Sequence, residues 1–211
     1  MEYFQSKIQI FRVKPNSNHV CWYHPVIEDY SKHTTFFKGE SIQKCWDNTL
    51  IWDDISGIDD KISLDFAIGI TGGFIISQKV YDSALHSFFA SSGELLPIHI
   101  GLTKSKFYAF NITRIIDLLD QDKLEWEYYK GTDIKRKILN YPINLKRIDT
   151  GTTFFKIPET IKIESLLTVS SKDIGSNFIE NYKLLGFKGL LFEQIYPPTD
   201  IPQPKLSTYS F

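Results

Sequence analysis

The chain has 211 residues, 42% hydrophobic and 15% aromatic, which is enough for one full core and indicates a single domain. The formal net charge of -1 and the pI near 6.5 argue against a protein that binds nucleic acid over its whole surface. Cys21 and Cys45 form no CxxC pair or zinc-spaced cluster, and the longest apolar stretch, 66–76, is too short for a membrane span. No secretory signal is evident, so we expect a reduced, cytoplasmic protein without a membrane span.

The first 65 residues contain one strand pattern and one strongly acidic stretch. Residues 7–13 alternate apolar and polar side chains, which is the period of a half-buried strand. The stretch 47–65 carries six carboxylates against one lysine, with two tryptophans nearby. It is either a solvated loop or a surface that docks a basic partner through aromatic anchors. The candidate interface residues are Trp46, Trp52, Asp53, Asp54, Asp59 and Asp60.

Two segments predict a strand followed by a capped helix. Phe74–Ile76 is apolar, Ser77 follows as an N-cap, and apolar residues then recur at helical spacing to residue 88. The second segment runs from 166 through Ser170 to Gly186, where glycine permits the helix to end. An offset of 93 pairs Ser77 with Ser170, which is either a weak internal duplication or a common unit that arose twice. We therefore predict an α+β fold with a mixed or mostly antiparallel sheet and two Ser-capped helices.

The rest of the chain adds strands, a basic stretch and a tail. Strand patterns occupy 107–112, 153–157 and 189–195. The stretch 130–147 carries six basic residues against one carboxylate and fits two short strands or a hairpin. We predict no nucleic-acid site there, because Tyr141 is the one aromatic residue of the stretch and bases need aromatic rings to stack on. The domain is expected to span 1–196, and the proline-rich tail 197–211 is expected to be extended, which allows a role as an adaptor ligand.

Catalytic and cofactor motifs are missing from the sequence. It has no nucleophile elbow, HExxH motif, Walker loop or GxGxxG fingerprint, so we expect no cofactor and no catalytic site. Asp117 and Asp120 lie at i and i+3, as two acids of a first helical turn would. The alternative is a hydrolase of unrecognised class that uses this pair with a histidine.

The second half of the chain resembles a family of bacterial immunity proteins from polymorphic toxin systems. The resemblance covers about 70–196 and rests on Gly73–Ser77, Leu96–Ile98, Phe107–Ile112 and Asp117–Asp120, followed by Phe154–Ile157 and Leu185–Phe192. Residues 1–65 resemble no family. The residues that match the family pattern are Ser77, Tyr108, Asn111, Asp117, Asp120, Gly189 and Phe192.

This resemblance implies an α+β protein that is encoded beside a toxin and neutralises it in the cytoplasm by binding. It implies no catalytic residues. Many toxins that act on nucleic acid are basic, so we expect the acidic stretch, with Trp52, Asp53, Asp54 and Asp59, to contribute to the toxin interface. The contrast between this stretch and the basic stretch 130–147 also permits self-association.

Overall fold

The computed structural model describes residues 8–16, 23–25, 38–47, 51–54, 65–68, 73–100, 106–149, 151–162, 164–170 and 177–198. Within these ranges the chain forms strands and a few short helices, and the sheets are mostly antiparallel, which is the predicted α+β class. The strands are β1 (Ile8–Pro15), β2 (Tyr23–Pro25), β3 (Ile51–Asp54), β4 (Phe66–Ile68), β5 (Phe74–Ser77), β6 (Gly93–Ile100), β7 (Lys106–Ile112), β8 (Trp126–Tyr128), β9 (Lys135–Ile138), β10 (Phe154–Phe155), β11 (Ser165–Ser170) and β12 (Leu190–Tyr196). The α-helices are α1 (Gln78–Tyr81), α2 (His86–Ala90) and α3 (Phe178–Leu184). Short 3₁₀ helices occupy Gln43–Cys45, Gln121–Lys123, Leu145–Arg147 and Pro158–Thr160.

The strands form two larger sheets and one separate pair. The first sheet has the order β10-β11-β1-β12 and is antiparallel throughout. The second has the order β2-β3-β6-β7-β5-β4, in which β3 is parallel to β6 and the other neighbours are antiparallel. β8 and β9 pair with each other as a separate two-stranded sheet. The mixed, mostly antiparallel architecture was predicted from the strand patterns.

The core consists of three layers of apolar side chains. Strand residues alternate between the two faces of a sheet, so each large sheet contributes side chains to two of these layers. In β7, Phe110 and Ile112 belong to a central cluster, whereas Phe107 and Ala109 face a second cluster on the opposite side of the six-stranded sheet. The four-stranded sheet also has one core cluster on each face: Phe154 of β10 belongs to the central cluster, and Phe155 belongs to a third cluster. The central cluster therefore lies between the two large sheets. The third lies on the outer face of the smaller sheet.

The predicted helix after Ser77 begins as expected but is interrupted. The Ser77 hydroxyl accepts a hydrogen bond from the Val80 amide at 3.3 Å, which confirms the N-cap. The helix stops at Tyr81 and resumes at His86. Between the two helices the Ser83 hydroxyl donates to the Val80 carbonyl and accepts from the Leu85 amide, and such local bonds compete with helical ones.

The second predicted cap is wrong, although the predicted helix end is confirmed. Helix α3 is capped by Asn177, whose side chain accepts from the Glu180 amide at 3.0 Å. Ser170 lies at the end of β11, eight positions before the helix starts, so it is not equivalent to Ser77. The offset of 93 therefore gains no support from the caps. Gly186 has a φ of 69° and ends the helix, with its own amide bonded to the Lys183 carbonyl.

Candidate functional site

Trp52 of the acidic stretch is part of the core, so its expected role as an exposed interface anchor is wrong, and Trp46 packs against the same core cluster. Trp52 is 0% exposed and packs in the cluster on the outer face of the six-stranded sheet. Trp46 is partly buried against the same cluster, and its indole N–H donates to the Pro97 carbonyl at 2.8 Å. Asp53 is exposed in β3, and Asp54 ends that strand. Asp59 and Asp60 lie outside the described residues.

Two family-pattern residues in β7, Tyr108 and Asn111, connect this strand to helix α1 and to β6. The Tyr108 ring stacks on Tyr81 at 4.0 Å, and its hydroxyl donates to the Gln78 side chain. The buried Asn111 amide donates to a carboxylate oxygen of Glu94 at 2.9 Å. Burial alone would raise the Glu94 pKa, but the hydrogen bonds from Ser41, the Ile42 amide and Asn111 lower it below its ordinary value. These contacts are structural.

The two family-pattern residues near β12 are also structural. Gly189 has a φ of 105°, a conformation that disfavours any side chain, and its carbonyl accepts from the Asn16 amide at 2.8 Å. Phe192 packs against the central cluster and contacts the Tyr182 ring edge to face at 5.2 Å. Together with Ser77 in its cap, these residues hold the fold and form no reactive group.

Asp117 and Asp120 do not form the predicted pair. Asp117 is exposed and pairs with Arg147 at 2.7 Å. Asp120 caps the 3₁₀ helix that follows it and pairs with Lys123 at 2.7 Å. The hydrogen bond from Lys123 holds the pKa of Asp120 below its ordinary value, whereas a general acid needs a raised one.

Asp120 lines a polar cavity of about 400 Å³, but neither Asp117 nor any histidine is among the residues that line it. The structure thus gives no support to the hydrolase alternative. The cap role predicted for acids at a helix start applies to Asp120, in a 3₁₀ helix.

An exposed β-hairpin is formed by β8 and β9, which we call the 126–138 hairpin. Trp126 pairs with Ile138 and Glu127 with Lys137, and a bulge follows Glu127. At the tip, the Tyr129 amide bonds to the Ile134 carbonyl at 3.0 Å, and Gly131 adopts a φ of 76°. The hairpin predicted within the basic stretch is only partly confirmed, because β9 lies in that stretch but β8 precedes it and the hairpin begins four residues earlier.

The base of the hairpin is fixed to the third core layer. Ile138 is 2% exposed, and Trp126 packs partly buried beside it. The Leu139 amide bonds to the Glu125 carbonyl at 2.9 Å, and Asn140 bonds through its side chain to the Glu125 amide and the Lys123 carbonyl. This anchoring holds both strands in one register.

The rest of the hairpin is solvated. Every residue from 128 to 137 is exposed. The apolar and aromatic side chains among them and just beyond are largely in solvent: Tyr128 is 48% exposed, Tyr129 53%, Ile134 63% and Leu139 57%. Large exposed apolar side chains that lie together mark interaction surfaces more often than isolated ones do.

Cations lie beside the aromatic rings of the hairpin. The Lys135 ammonium lies 4.7 Å from the centre of the Trp126 ring, and the Arg136 guanidinium lies 5.8 Å from that of Tyr129. Arg136 also pairs with Glu127 at 3.0 Å. A cavity of about 230 Å³ separates the hairpin from the 159–164 segment, and Trp126, Lys135, Arg136, Lys137, Ile138, Glu159, Thr160 and Glu164 line it.

A buried charge network ties the hairpin region to the four-stranded sheet. Arg12 of β1 is 5% exposed, and its guanidinium lies 2.8 Å from Glu164 and 2.9 Å from Glu193. The Tyr141 hydroxyl accepts a short hydrogen bond from Arg12 and donates to Glu164 at 2.9 Å. Burial, together with the charge of Glu164, raises the Tyr141 pKa far above its ordinary value. Tyr141 therefore links the chain after the hairpin to the sheet beneath it.

The aromatic and basic residues of the hairpin are all visible in the sequence, but the aromatic residues lie just before the basic stretch 130–147 and were not grouped with it. The basic stretch begins at Lys130, and the aromatic residues Trp126, Tyr128 and Tyr129 precede it. Antiparallel pairing returns β9 alongside β8, so the cations and aromatic rings meet across the strands. A search for aromatic residues on both sides of the Gly131 turn would have found them.

Comparison with known proteins yields no family model that matches this chain and no curated protein that is similar to it. Among the described residues, no helix has the length and apolar character of a membrane span. In the same part of the chain, no group of three or more His, Cys, Asp or Glu side chains is arranged to hold a metal ion.

Proposed function

We propose that this protein is an immunity protein, which binds a toxin encoded beside it and neutralises that toxin in the cytoplasm of the producing cell. The observation that carries the binding role is the 126–138 hairpin, with its fixed base and its exposed aromatic and basic side chains. The identity of the partner as a toxin is supported by the resemblance of residues 70–196 to immunity proteins. The two supports are independent of each other.

The hairpin is suited to binding for energetic reasons. Apolar surface in water is unfavourable by about 25 cal/mol per Å², so covering Tyr128, Tyr129 and Ile134 with a partner would stabilise a complex. Tyrosine and arginine are also the residues that most often dominate interface energies. Because the base is fixed by Ile138, less conformational entropy is lost on binding than a mobile loop would lose.

The acidic stretch remains a second proposed contact. Asp53 is exposed, and together with Asp54, Asp59 and Asp60 it would favour a basic partner surface through steering. Trp52 is buried and Trp46 is partly buried, so the stretch would contribute mainly charge. Reversing the charges of Asp53, Asp54 and Asp59 should slow association if this stretch meets the partner, and an unchanged rate at low and high salt would exclude it.

Co-expression tests the proposed function. The neighbouring open reading frame is induced with and without this protein, and growth and co-purification are scored together. We expect the neighbour's product to arrest growth by itself, this protein to restore growth, and the two to co-purify. A product that arrests growth without rescue or complex formation would overturn the proposal, and so would a product that is harmless.

A further inference from the structure

The charge of the hairpin is opposite in sign to that of the whole chain. Residues 126–138 carry four basic side chains against two carboxylates, which makes them net positive, while the chain has a formal net charge of -1. The basic residues are Lys130, Lys135, Arg136 and Lys137, and the carboxylates are Glu127 and Asp133. Arg136 is neutralised by Glu127 at 3.0 Å, but Lys130 and Lys137 form no ion pair within the part of the chain that the structure describes. The hairpin therefore presents a net positive charge.

Two exposed aliphatic side chains lie in and next to the hairpin. Ile134 is 63% exposed and Leu139 57%, which makes them two of the most exposed large hydrophobic residues among those described. Nucleic-acid surfaces also combine cations with aromatic rings, but here Lys135 and Arg136 already lie over the rings of Trp126 and Tyr129, and the exposed aliphatic side chains offer no plane on which a base could stack. Protein interfaces combine an apolar centre with a polar rim, which is the pattern of the hairpin.

We propose that the 126–138 hairpin inserts into an acidic, apolar-walled cleft of the partner protein. Ile134, Tyr128 and Tyr129 contact the apolar walls, and Lys130, Lys135 and Lys137 face the partner's carboxylates. This inference rests on the proposed function and adds the chemistry of the partner. It differs from the expectation of a basic toxin, because complementarity to the hairpin requires a negatively charged cleft.

Charge reversal with a matched control tests the inference. The hairpin variant is Lys130→Glu/Lys135→Glu/Lys137→Glu, and the control is Lys106→Glu/Lys183→Glu/Lys188→Glu, three exposed lysines outside the hairpin. Both variants change the net charge equally, so any difference between them reports position. Association with the purified product of the neighbouring reading frame is measured at 50 and 200 mM salt, after thermal melts show that both variants are folded.

We expect the hairpin variant to associate at least about tenfold more slowly than the control at 50 mM salt, with the difference reduced at 200 mM. Equal rates for the two variants, or faster association of the hairpin variant, would overturn the acidic-cleft inference while leaving the proposed function intact. If the wild type does not bind the product at all, both the acidic-cleft inference and the proposed function are wrong. If the hairpin instead binds a single-stranded RNA oligonucleotide, and the product of the neighbouring reading frame does not bind, the hairpin is a nucleic-acid site and the acidic-cleft inference is wrong.

Discussion

Among the residues that the structure describes, the side chains of Arg12 and Lys156 are basic and buried, and they are accommodated in different ways. Arg12 lies within 3 Å of two carboxylates, so its charge is compensated. Lys156 is 0% exposed, and its ammonium donates to the Ile161 carbonyl at 2.7 Å. Burial lowers the pKa of Lys156 to about 8. Such a pKa makes stability depend on pH, because the unfolded chain binds the proton more tightly than the folded one.

The substitution Lys156→Met should remove a pH dependence that the wild type has. Between pH 8 and the ordinary lysine value of 10.5, the unfolded state holds a proton that the folded state has lost, so wild-type stability rises with pH in that window. Below about pH 8 both states are protonated, and the cost of the buried charge is fully present. From pH 7 to 9.5 we expect the wild type to gain about 2 kcal/mol relative to the variant.

Urea unfolding of both proteins at these two pH values measures the difference. The comparison between the proteins cancels the titration of other groups. Parallel stabilities across the window would show that Lys156 is not held at a lowered pKa.

At the scale of elements, the hairpin combines a rigid base with a solvated tip. Ile134 and Ile138 are the same residue type, four positions apart, but 63% and 2% exposed respectively. The difference arises because β9 enters the third core layer only at its last residue. Stability and binding should therefore be separable within this one element.

Alanine substitutions at these two positions form a matched pair. Ile138→Ala should lower the free energy of unfolding by about 2–5 kcal/mol, since it deletes buried methyl groups from a packed core. Ile134→Ala should change it by less than about 0.5 kcal/mol. Chemical denaturation of each variant provides the values, and a comparable loss at both positions would mean that the tip is packed against the protein.

The elements also show where sequence patterns suffice. Alternation predicted β1, and runs of apolar and aromatic residues predicted β7 and β12, because strands that pack against core layers need such side chains. Ser77 and Gly186 were predictable because a cap and a left-handed residue depend only on local geometry. The break between α1 and α2 was not predicted, because it depends on hydrogen bonds of Ser83 that compete with the helix.

The candidate site was harder to predict than the fold. The burial of Trp52 results from the pairing of β3 with β6, and the two segments lie nearly fifty positions apart in the chain. An acidic neighbourhood suggested an exposed tryptophan, but the surrounding charges do not report the direction of its side chain. The hairpin surface required knowledge of which residues precede the turn as well as which follow it.

At the scale of the whole molecule, two sheets with a shared core support a third layer that carries the hairpin. Phe155 and Leu166 of the four-stranded sheet pack in the same cluster as Ile138, so the outer face of the sheet positions the hairpin base. The Arg12 network adds charged contacts across the same boundary. This arrangement places the proposed binding surface on the outside of the fold, which would suit an inhibitor that occupies a cleft.

The central claim is that the hairpin is the surface that meets the partner. Hydrogen exchange, measured by mass spectrometry on this protein with and without the purified product of the neighbouring reading frame, tests it most directly. We predict slower exchange in the complex at residues 128–137, with no change in α3. Unchanged exchange across 128–137, with protection confined to Ile51–Asp54 or to α3, would contradict the account.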